Sequence, residues 1–302
     1  MTTDAGEVIV DEIRRFVRES PGNQLPGAGG PCFDEPLVGF AGAADPLFEE
    51  YQRIIGPFHR TPQEAMAEAL GAGVSARAVV CWVLPISRAA RRSNRRETRR
   101  PSREWALTRD LGERFNSALR RHMVALLEAQ GHRAVAPLLS PAWKRVSDPR
   151  VGLASTWSER HAAYAAGLGT FGLNDSLITA RGTAHRLGSV ITDRPVAPTP
   201  RPYHDHHEYC LHHRGLGCGV CVARCPAQAV SLDGHDKARC QHQVHGPPAR
   251  ELGGALGLAE VGCGLCQTKV PCEERIPPTP KKQRGQGGGA AAPGSFTGDD
   301  SA

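Results

Sequence analysis

No stretch of the 302 residues approaches the ~20 consecutive apolar residues that a membrane-spanning helix needs, so a helical membrane protein is not expected. Nor does the chain open as a secretory signal would. A basic stretch and an unbroken apolar run are both missing from MTTDAGEVIVDEIRRFVRES, which mixes acids into an amphipathic pattern. The expectation is a cytoplasmic protein without membrane contact, in a compartment that keeps thiols reduced and where paired cysteines more often mean metal than disulfide. Internal repeats are absent too, apart from a two-fold recurrence among the cysteines. Apolar residues at 40% and charged residues at 23% lie near the globular average, which argues against wholesale disorder. The net charge of +6 speaks only to solubility and non-specific contact with phosphates.

The periodicities divide the chain. Ile9, Ile13, Phe16 and Val17 share one face of an N-terminal helix over 7–18, and a loop rich in Gly and Pro follows from 21 to 46. Thr61-Pro62-Gln63-Glu64 combines a capping residue, a proline at the first helical position and a glutamate three residues after the cap, so a helix is predicted up to Gly71. RAVVCWVLPI, at 77–86, reads as a strand buried on both faces at the centre of a sheet. Leu107, Leu111, Phe115, Leu119 and Leu126 predict a long amphipathic helix ended by Gly131. A short strand at 134–139, a helix at 158–166 and strands at 176–179 and 188–192 complete the pattern. Residues 1–200 are therefore expected to form an α/β or α+β sandwich.

After Arg194 the composition changes. A proline-rich connector leads into a second domain at 203–276, dense in Cys, His and Gly and so poor in core residues that it needs an inorganic centre to fold. Residues 277–302 are low in complexity and are expected to be a disordered tail.

Eight of the ten cysteines lie in that second domain. Cys218-x2-Cys221-x3-Cys225-Pro226 reproduces the last three cysteines and the proline of the bacterial ferredoxin run, with Cys210 as a remote first cysteine. Cys240, Cys263, Cys266 and Cys272 form a second set. Since the fourth cysteine of such a run ligates the other cluster, the expected ligands are Cys210, Cys218, Cys221 and Cys272 for one 4Fe-4S cluster and Cys225, Cys240, Cys263 and Cys266 for the other. Two four-thiolate zinc sites are the alternative, although structural zinc has no use for the x3-Cys-Pro extension. Gly217, Gly219, Gly262 and Gly264 would let backbone amides approach the sulfides. Cys81 reads as an inert buried thiol and Cys32 as a loop cysteine without partners.

Three further features carry weaker signals. Eight of the thirteen histidines fall between His204 and His245, where a solvated polar shell is the plain expectation. Gly167-Leu168-Gly169-Thr170-Phe171-Gly172 matches G-x-G-x-x-G but follows a helix, the wrong context for a dinucleotide site; a helix-ending turn or a close backbone approach to another large ligand fits better. Arg88, Arg91, Arg92, Arg95, Arg96, Arg99, Arg100 and Arg103 recur at helical spacing. They could grip phosphates, yet a solvated basic face is the more frequent outcome.

The sequence resembles epoxyqueuosine reductase, a cobalamin- and iron-sulfur-dependent enzyme of tRNA modification, within a superfamily that includes reductive dehalogenases. The resemblance runs over about 150–275 and rests on Glu159-Arg160, Ala166-Gly167-Leu168-Gly169, Gly172-x-Asn174, Leu177-Ile178, Leu187-Gly188, Thr192-Asp193 and the two cysteine sets. It implies a base-off cobalamin near the turn of Gly167, Gly169, Gly172 and Asn174, reduced by a cluster, with an electron donor protein and a small organic substrate or tRNA as partners. The family's proton-donating aspartate falls here on Leu153, followed by Ala154-Ser155-Thr156, so the catalytic acid is unassigned. The last cysteine spacing, Cys266-QTKVP-Cys272, also departs from the family's x3-Cys-Pro. Expected, then, is an oxidoreductase of a divergent subgroup; the competing readings are a non-catalytic electron carrier and a zinc-stapled nucleic-acid binder using the arginine stripe.

Overall fold

The computed structural model describes residues 4–27 and 30–279. Helix α1 (Ala5–Glu19) turns Ile9, Ile13 and Val17 inward. Strand β1 (Leu37–Gly42) and helix α2 (Leu47–Ile55) follow, the first inside the segment expected to be a loop. Helix α3 (Pro62–Leu70) starts at the predicted capping box: Thr61 Oγ1 accepts the Glu64 N–H at 3.2 Å and the Glu64 carboxylate accepts the Thr61 N–H at 2.8 Å. Strand β2 (Ala78–Pro85) is buried at all eight positions. The short α4 (Arg88–Asn94) precedes the long α5 (Arg103–Ala129). Next come β3 (Ala134–Val135), the hairpin of β4 (Arg145–Asp148) and β5 (Gly152–Ser155), and α6 (Glu159–Ala165). The glycine motif becomes β6 (Gly169–Phe171), paired with β7 (Leu177–Thr179), and β8 (His185–Thr192) completes the larger part. The cysteine-bearing segment adds α7 (Val220–Arg224), the two-residue β9 (Val230–Ser231) and β10 (Gly234–His235), α8 (Lys237–His245) and α9 (Pro247–Leu256).

The main sheet runs β1-β2-β8-β3 with every pairing antiparallel, so the α+β alternative holds. Because side chains alternate across a strand, β2 serves two cores at once. Val80, Trp82 and Leu84 pack with α1 and α5 through Ile9, Ile13, Phe115 and Leu119. Val79, Cys81 and Val83 pack on the other face with Phe48, Tyr51, Met66 and Ala162. Trp82 lies flat over Gly188, where a Cβ would come within 2.3 Å of the indole ring, and its Nε1–H donates to Asn116 Oδ1 at 2.8 Å. Asn116 in turn donates to the Leu187 carbonyl, which ties α5 to β8. Cys81 and Cys32 are both fully buried in these cores, and burial raises both thiols; Cys32 does lie in a loop, as expected, and its thiol packs into the core.

The arginine stripe corrects another expectation. Arg91, nearly buried, donates from Nε to the Ile86 carbonyl and from Nη1 to Glu274 at 2.7 Å, while Arg95 Nε reaches Glu273 at 2.8 Å. Arg100 makes a two-point contact with Glu251. What looked like a solvated face is in part a clamp on the cysteine-bearing segment, formed because the matching acids arrive some 150 to 180 residues later. Arg224 answers from the other side, donating to the Glu97, Asn94 and Leu265 carbonyls. Among the described residues no helix is long and apolar enough to cross a membrane. The segment expected to be a tail lies outside the described residues from 280 onward.

Candidate redox centres and polar cleft

The cysteines gather into two sets. Cys210, Cys218, Cys221 and Cys272 line one cavity together with Gly172, Leu173 and Asn174. Cys225, Cys240, Cys263 and Cys266 line a second cavity of about 260 Å³. Within each set the thiols act on one another: burial and then Cys221, Cys210 and Cys218 push the Cys272 thiol up to about 12, and burial followed by Cys240 and Cys225 pushes Cys263 up to about 11. Cys210 is buried and the other seven are half-buried; thiols gathered in fours are the donors that a cationic centre takes up as thiolates in place of their protons, so the donor chemistry fits a thiolate-bound metal centre. That fit rests on the donor type and not on a formed ligand geometry, for among the described residues no group of three or more His, Cys, Asp or Glu is arranged to hold a metal ion.

Local backbone explains how the second set is held. Gly262 and Gly264 have φ of 62° and 64°, the left-handed region that favours glycine. Gly264 also lies against Trp105, where a Cβ would fall 1.9 Å from the ring, so the turn carrying Cys263 and Cys266 is seated on α5. Asn174 Nδ2 donates to the Cys266 carbonyl at 2.9 Å, and Gln267 Nε2 donates to Ser176 Oγ at 2.7 Å. The Thr183 and Ala184 amides donate to the Cys272 and Glu273 carbonyls, which extends the β8 end of the sandwich into the cysteine segment. The Ala229 amide donates to Cys225 Sγ at 3.2 Å.

The glycine motif serves the fold first. A Cβ on Gly169 would meet the Ile178 carbonyl at 2.2 Å, and one on Gly167, at φ 76°, would meet the Pro200 carbonyl at 2.7 Å. The close approach expected there is made by the chain's own backbone. Gly172 and Asn174 do reach the cysteine cavities, Asn174 lining both. Histidines are less uniform than a solvated shell: His207 stacks on His213 at 3.7 Å, and His235 Nδ1 lies 3.1 Å from Asp175 Oδ2. Although burial works against it, Asp175 and Cys240 raise the His235 pKa to about 9.

A polar cleft of about 930 Å³ adjoins the second set and was not legible in the sequence. Arg109, Arg160, Ser176, His185, Arg186 and Gln267 line both the cleft and the 260 Å³ cavity, so one wall separates the two spaces. Glu159 and Arg160, adjacent in sequence, divide the work. Glu159 turns inward to Arg120, which is wholly buried, at 2.7 Å, and accepts the Ser189 amide. Arg160 fronts the cavities and donates to the Asp175 carbonyl. Glu113 joins Arg120 at 2.9 Å and Arg186 at 2.5 Å; burial alone would raise its carboxyl, but Arg186 and Arg120 hold it at about 2. Two polar atoms of this wall, Arg109 Nη1 and His185 Nδ1, are buried without a hydrogen-bond partner among the described residues. Leu153, where the resemblance would put the catalytic acid, sits on β5 opposite Ser147 and lines a separate cavity of about 590 Å³ with Tyr51, His161 and Asp175.

No protein-family model matches the chain, and no curated protein matches it. Solved structures do. The chain is similar to the epoxyqueuosine reductase of Streptococcus thermophilus at 16% identity and a TM-score of 0.47, over 88% of this chain and 66% of that one. An epoxyqueuosine reductase in complex with an epoxyqueuosine-modified tRNA-Tyr stem loop is matched at 19% identity and a TM-score of 0.46, over 88% and 64%. A catabolic reductive dehalogenase is matched at 14% identity and a TM-score of 0.49, over 89% of this chain and 36% of that one. The chain thus spans about two thirds of the reductases and about a third of the dehalogenase. Likenesses of this size concern the path of the chain and decide nothing about activity.

Proposed function

We propose that the chain is an iron-sulfur oxidoreductase in which two 4Fe-4S clusters, on Cys210, Cys218, Cys221 and Cys272 and on Cys225, Cys240, Cys263 and Cys266, pass electrons to an acceptor in the polar cleft. The carrying observation is the shared wall between the second cysteine cavity and the cleft. The resemblance to epoxyqueuosine reductase makes cobalamin the acceptor proposed. Its fit rests on an open cleft of about 930 Å³, at the upper end of the ~300–1,000 Å³ of small-molecule sites, and on His185 Nδ1, buried in the wall without a hydrogen-bond partner among the described residues. Arg109, Arg160, His185 and Arg186 would hold it. When bound, cobalamin supplies a strongly reducing metal for reduction of an organic substrate, which here is a small molecule or a tRNA nucleoside. The electrons come from a separate donor protein.

Protons are the harder half of such a reaction. Glu113 is ionised at neutral pH, and burial holds His185 neutral at a pKa of about 4, so neither donates readily. Together with Leu153 in the acid's place, this favours one second reading, an electron carrier on the same scaffold without chemistry of its own. Anaerobic preparation with iron, sulfide and cobalamin separates the readings. The expected result is about eight irons per chain, four for each cluster, with bound corrin whose metal changes oxidation state when the clusters are reduced. Iron without a responding corrin favours the carrier; zinc in place of iron ends both.

A further inference from the structure

Arginine supplies eight of the sixteen residues from Arg88 to Arg103, and Glu97 is the one acid among them. The fold divides this run by face. Arg91, Arg95 and Arg100 turn toward acids of the cysteine-bearing segment. Arg88, Arg92, Arg96, Arg99 and Arg103 are exposed, and among the described residues none of their side chains meets an acid or a hydrogen-bond acceptor. Arg88 and Arg92 stand one turn apart on α4, and Arg96 follows in the turn that continues it, since a spacing of four keeps side chains on one face. Like charges four apart destabilise a helix, so this face is complementary to a partner of the opposite sign.

What lies beneath α4 gives that face a use. Asn94, the last residue of α4, donates from Nδ2 to the Cys263 carbonyl at 3.3 Å. Arg224, on α7 between Cys221 and Cys225, donates back to the Asn94 and Glu97 carbonyls. Arg91 and Arg95 hold Glu273 and Glu274, the two residues after Cys272. One helix, ~10–12 Å across with its side chains, thus rests on backbone of both cysteine sets and turns arginines to water on its other side.

We infer that the outer face of α4 and the turn after it, with Arg88, Arg92, Arg96 and Arg99, is where a small one-electron carrier protein docks through an acidic face. One electron leaves the carrier and enters one of the two clusters; no bond is made or broken and no proton need move. Such docking rests on the proposed function, which takes electrons from a separate protein, and adds where that protein binds and the sign of its charge. Electron-transfer partners meet through small interfaces steered by charge, which a patch of arginines without acids supplies. Ribonucleic acid is the other polyanion that arginines bind, but the run from Arg88 to Arg103 holds no Phe, Tyr or Trp on which bases stack.

Two variants separate a docking patch from general charge. Arg88→Gln, Arg92→Gln and Arg96→Gln are combined in one; Arg14→Gln, Arg18→Gln and Arg53→Gln, exposed on α1 and α2, are combined in the other and remove the same charge elsewhere. The probe is an acidic plant-type 2Fe-2S ferredoxin, fluorescently labelled, whose dissociation constant for the anaerobic, cluster-loaded protein is measured by anisotropy at several salt concentrations. Expected is wild-type binding that weakens as salt is raised, roughly tenfold weaker binding by the α4 variant at low salt, and binding by the other variant within about twofold of wild type. Iron content should be the same in all three, because the substituted side chains touch no cysteine. Wild-type affinity in the α4 variant, no salt-dependent binding by wild type, or loss of iron from the α4 variant each overturns the inference and leaves the proposed function standing. So does an α4 variant that loses binding of a tRNA stem loop while keeping the ferredoxin, which assigns the face to nucleic acid. A wild-type protein that takes up no iron overturns both.

Discussion

Strand β2 buries eight of its eight residues between two apolar cores, whereas helices α7 and α8, which carry Cys221 and Cys240, bury none completely. The sandwich holds itself by area: Leu84, Leu119, Met123 and Leu127 are among many side chains wholly withdrawn from water, each contributing ~1.5–3 kcal/mol on transfer. Segment 203–276 has no comparable account. Its apolar clusters are small: one is Leu173, Ile178, Cys210 and Val230 with Tyr209, Val222 and other cysteines packed around them, two of those four from the sandwich side, and the other sets Ala249 and Val261 against Ala106 of α5. What organises it is a set of directional contacts, the arginine clamp and the Asn174 and Thr183 bonds, converging on thiols. One region can fold before any cofactor arrives; the other is shaped to be completed.

The sharpest way to break that contrast is to disrupt the second of the two proposed clusters. Cys266→Ala takes out the most buried thiol of its set, and if the thiols hold two clusters as proposed, iron per chain should fall by about half. Amide hydrogen exchange should then rise by orders of magnitude across α8 and α9 while β2 and β8 stay protected. If α8 and α9 kept their protection in the iron-depleted variant, the segment would be a self-sufficient fold and the contrast would be wrong.

How much of this was legible follows the same division. The capping box, the apolar strand and the cysteine spacings are local patterns; residues 61–64 and 78–85 stand where the sequence puts them, and the eight cysteines line two cavities in the two expected groups of four. Strand β1 was hidden because LVGFAG, with two glycines inside a Gly- and Pro-rich stretch, reads as loop; Gly39 is there because a Cβ would strike the Ala166 carbonyl at 2.5 Å. Helix α2 did carry a signal, with Phe48, Tyr51 and Ile55 at helical spacing. The cleft could not be read at all. Glu113 and Arg120 come from α5, Glu159 from α6 and Arg186 from β8, and nothing local tells an arginine which acid it will meet.

That charge network offers an intermediate test inside the sandwich. Glu113 has its carboxyl lowered from an ordinary 4.5 to about 2, so its contribution to stability is complete above pH ~4.5 and is lost as pH falls toward 2. Glu113→Gln should cost ~3 kcal/mol at pH 7 in urea unfolding, and its stability should decline less between pH 5 and 3 than that of wild type. Iron content should not change. A wild-type acid limb in the variant would mean that Arg186 and Arg120 find other anions and that the cleft wall is looser than its geometry indicates.

The smallest expected effect tests whether the two regions are independent. Thr61 caps α3 through its hydroxyl, and its amide is taken by Glu64, so Thr61→Ala removes one of two reciprocal bonds at an exposed helix start. Helix α3 supplies Met66 to the core face opposite α1 and α5, away from every cysteine cavity. The loss should therefore be ~1 kcal/mol in urea unfolding of the sandwich, with iron content and the rate of iron release to a chelator as in wild type. Faster release in this variant would show that the fraying of one distant helix reaches the thiols, and that the sandwich and the cysteine segment unfold as one unit, whatever their difference in composition.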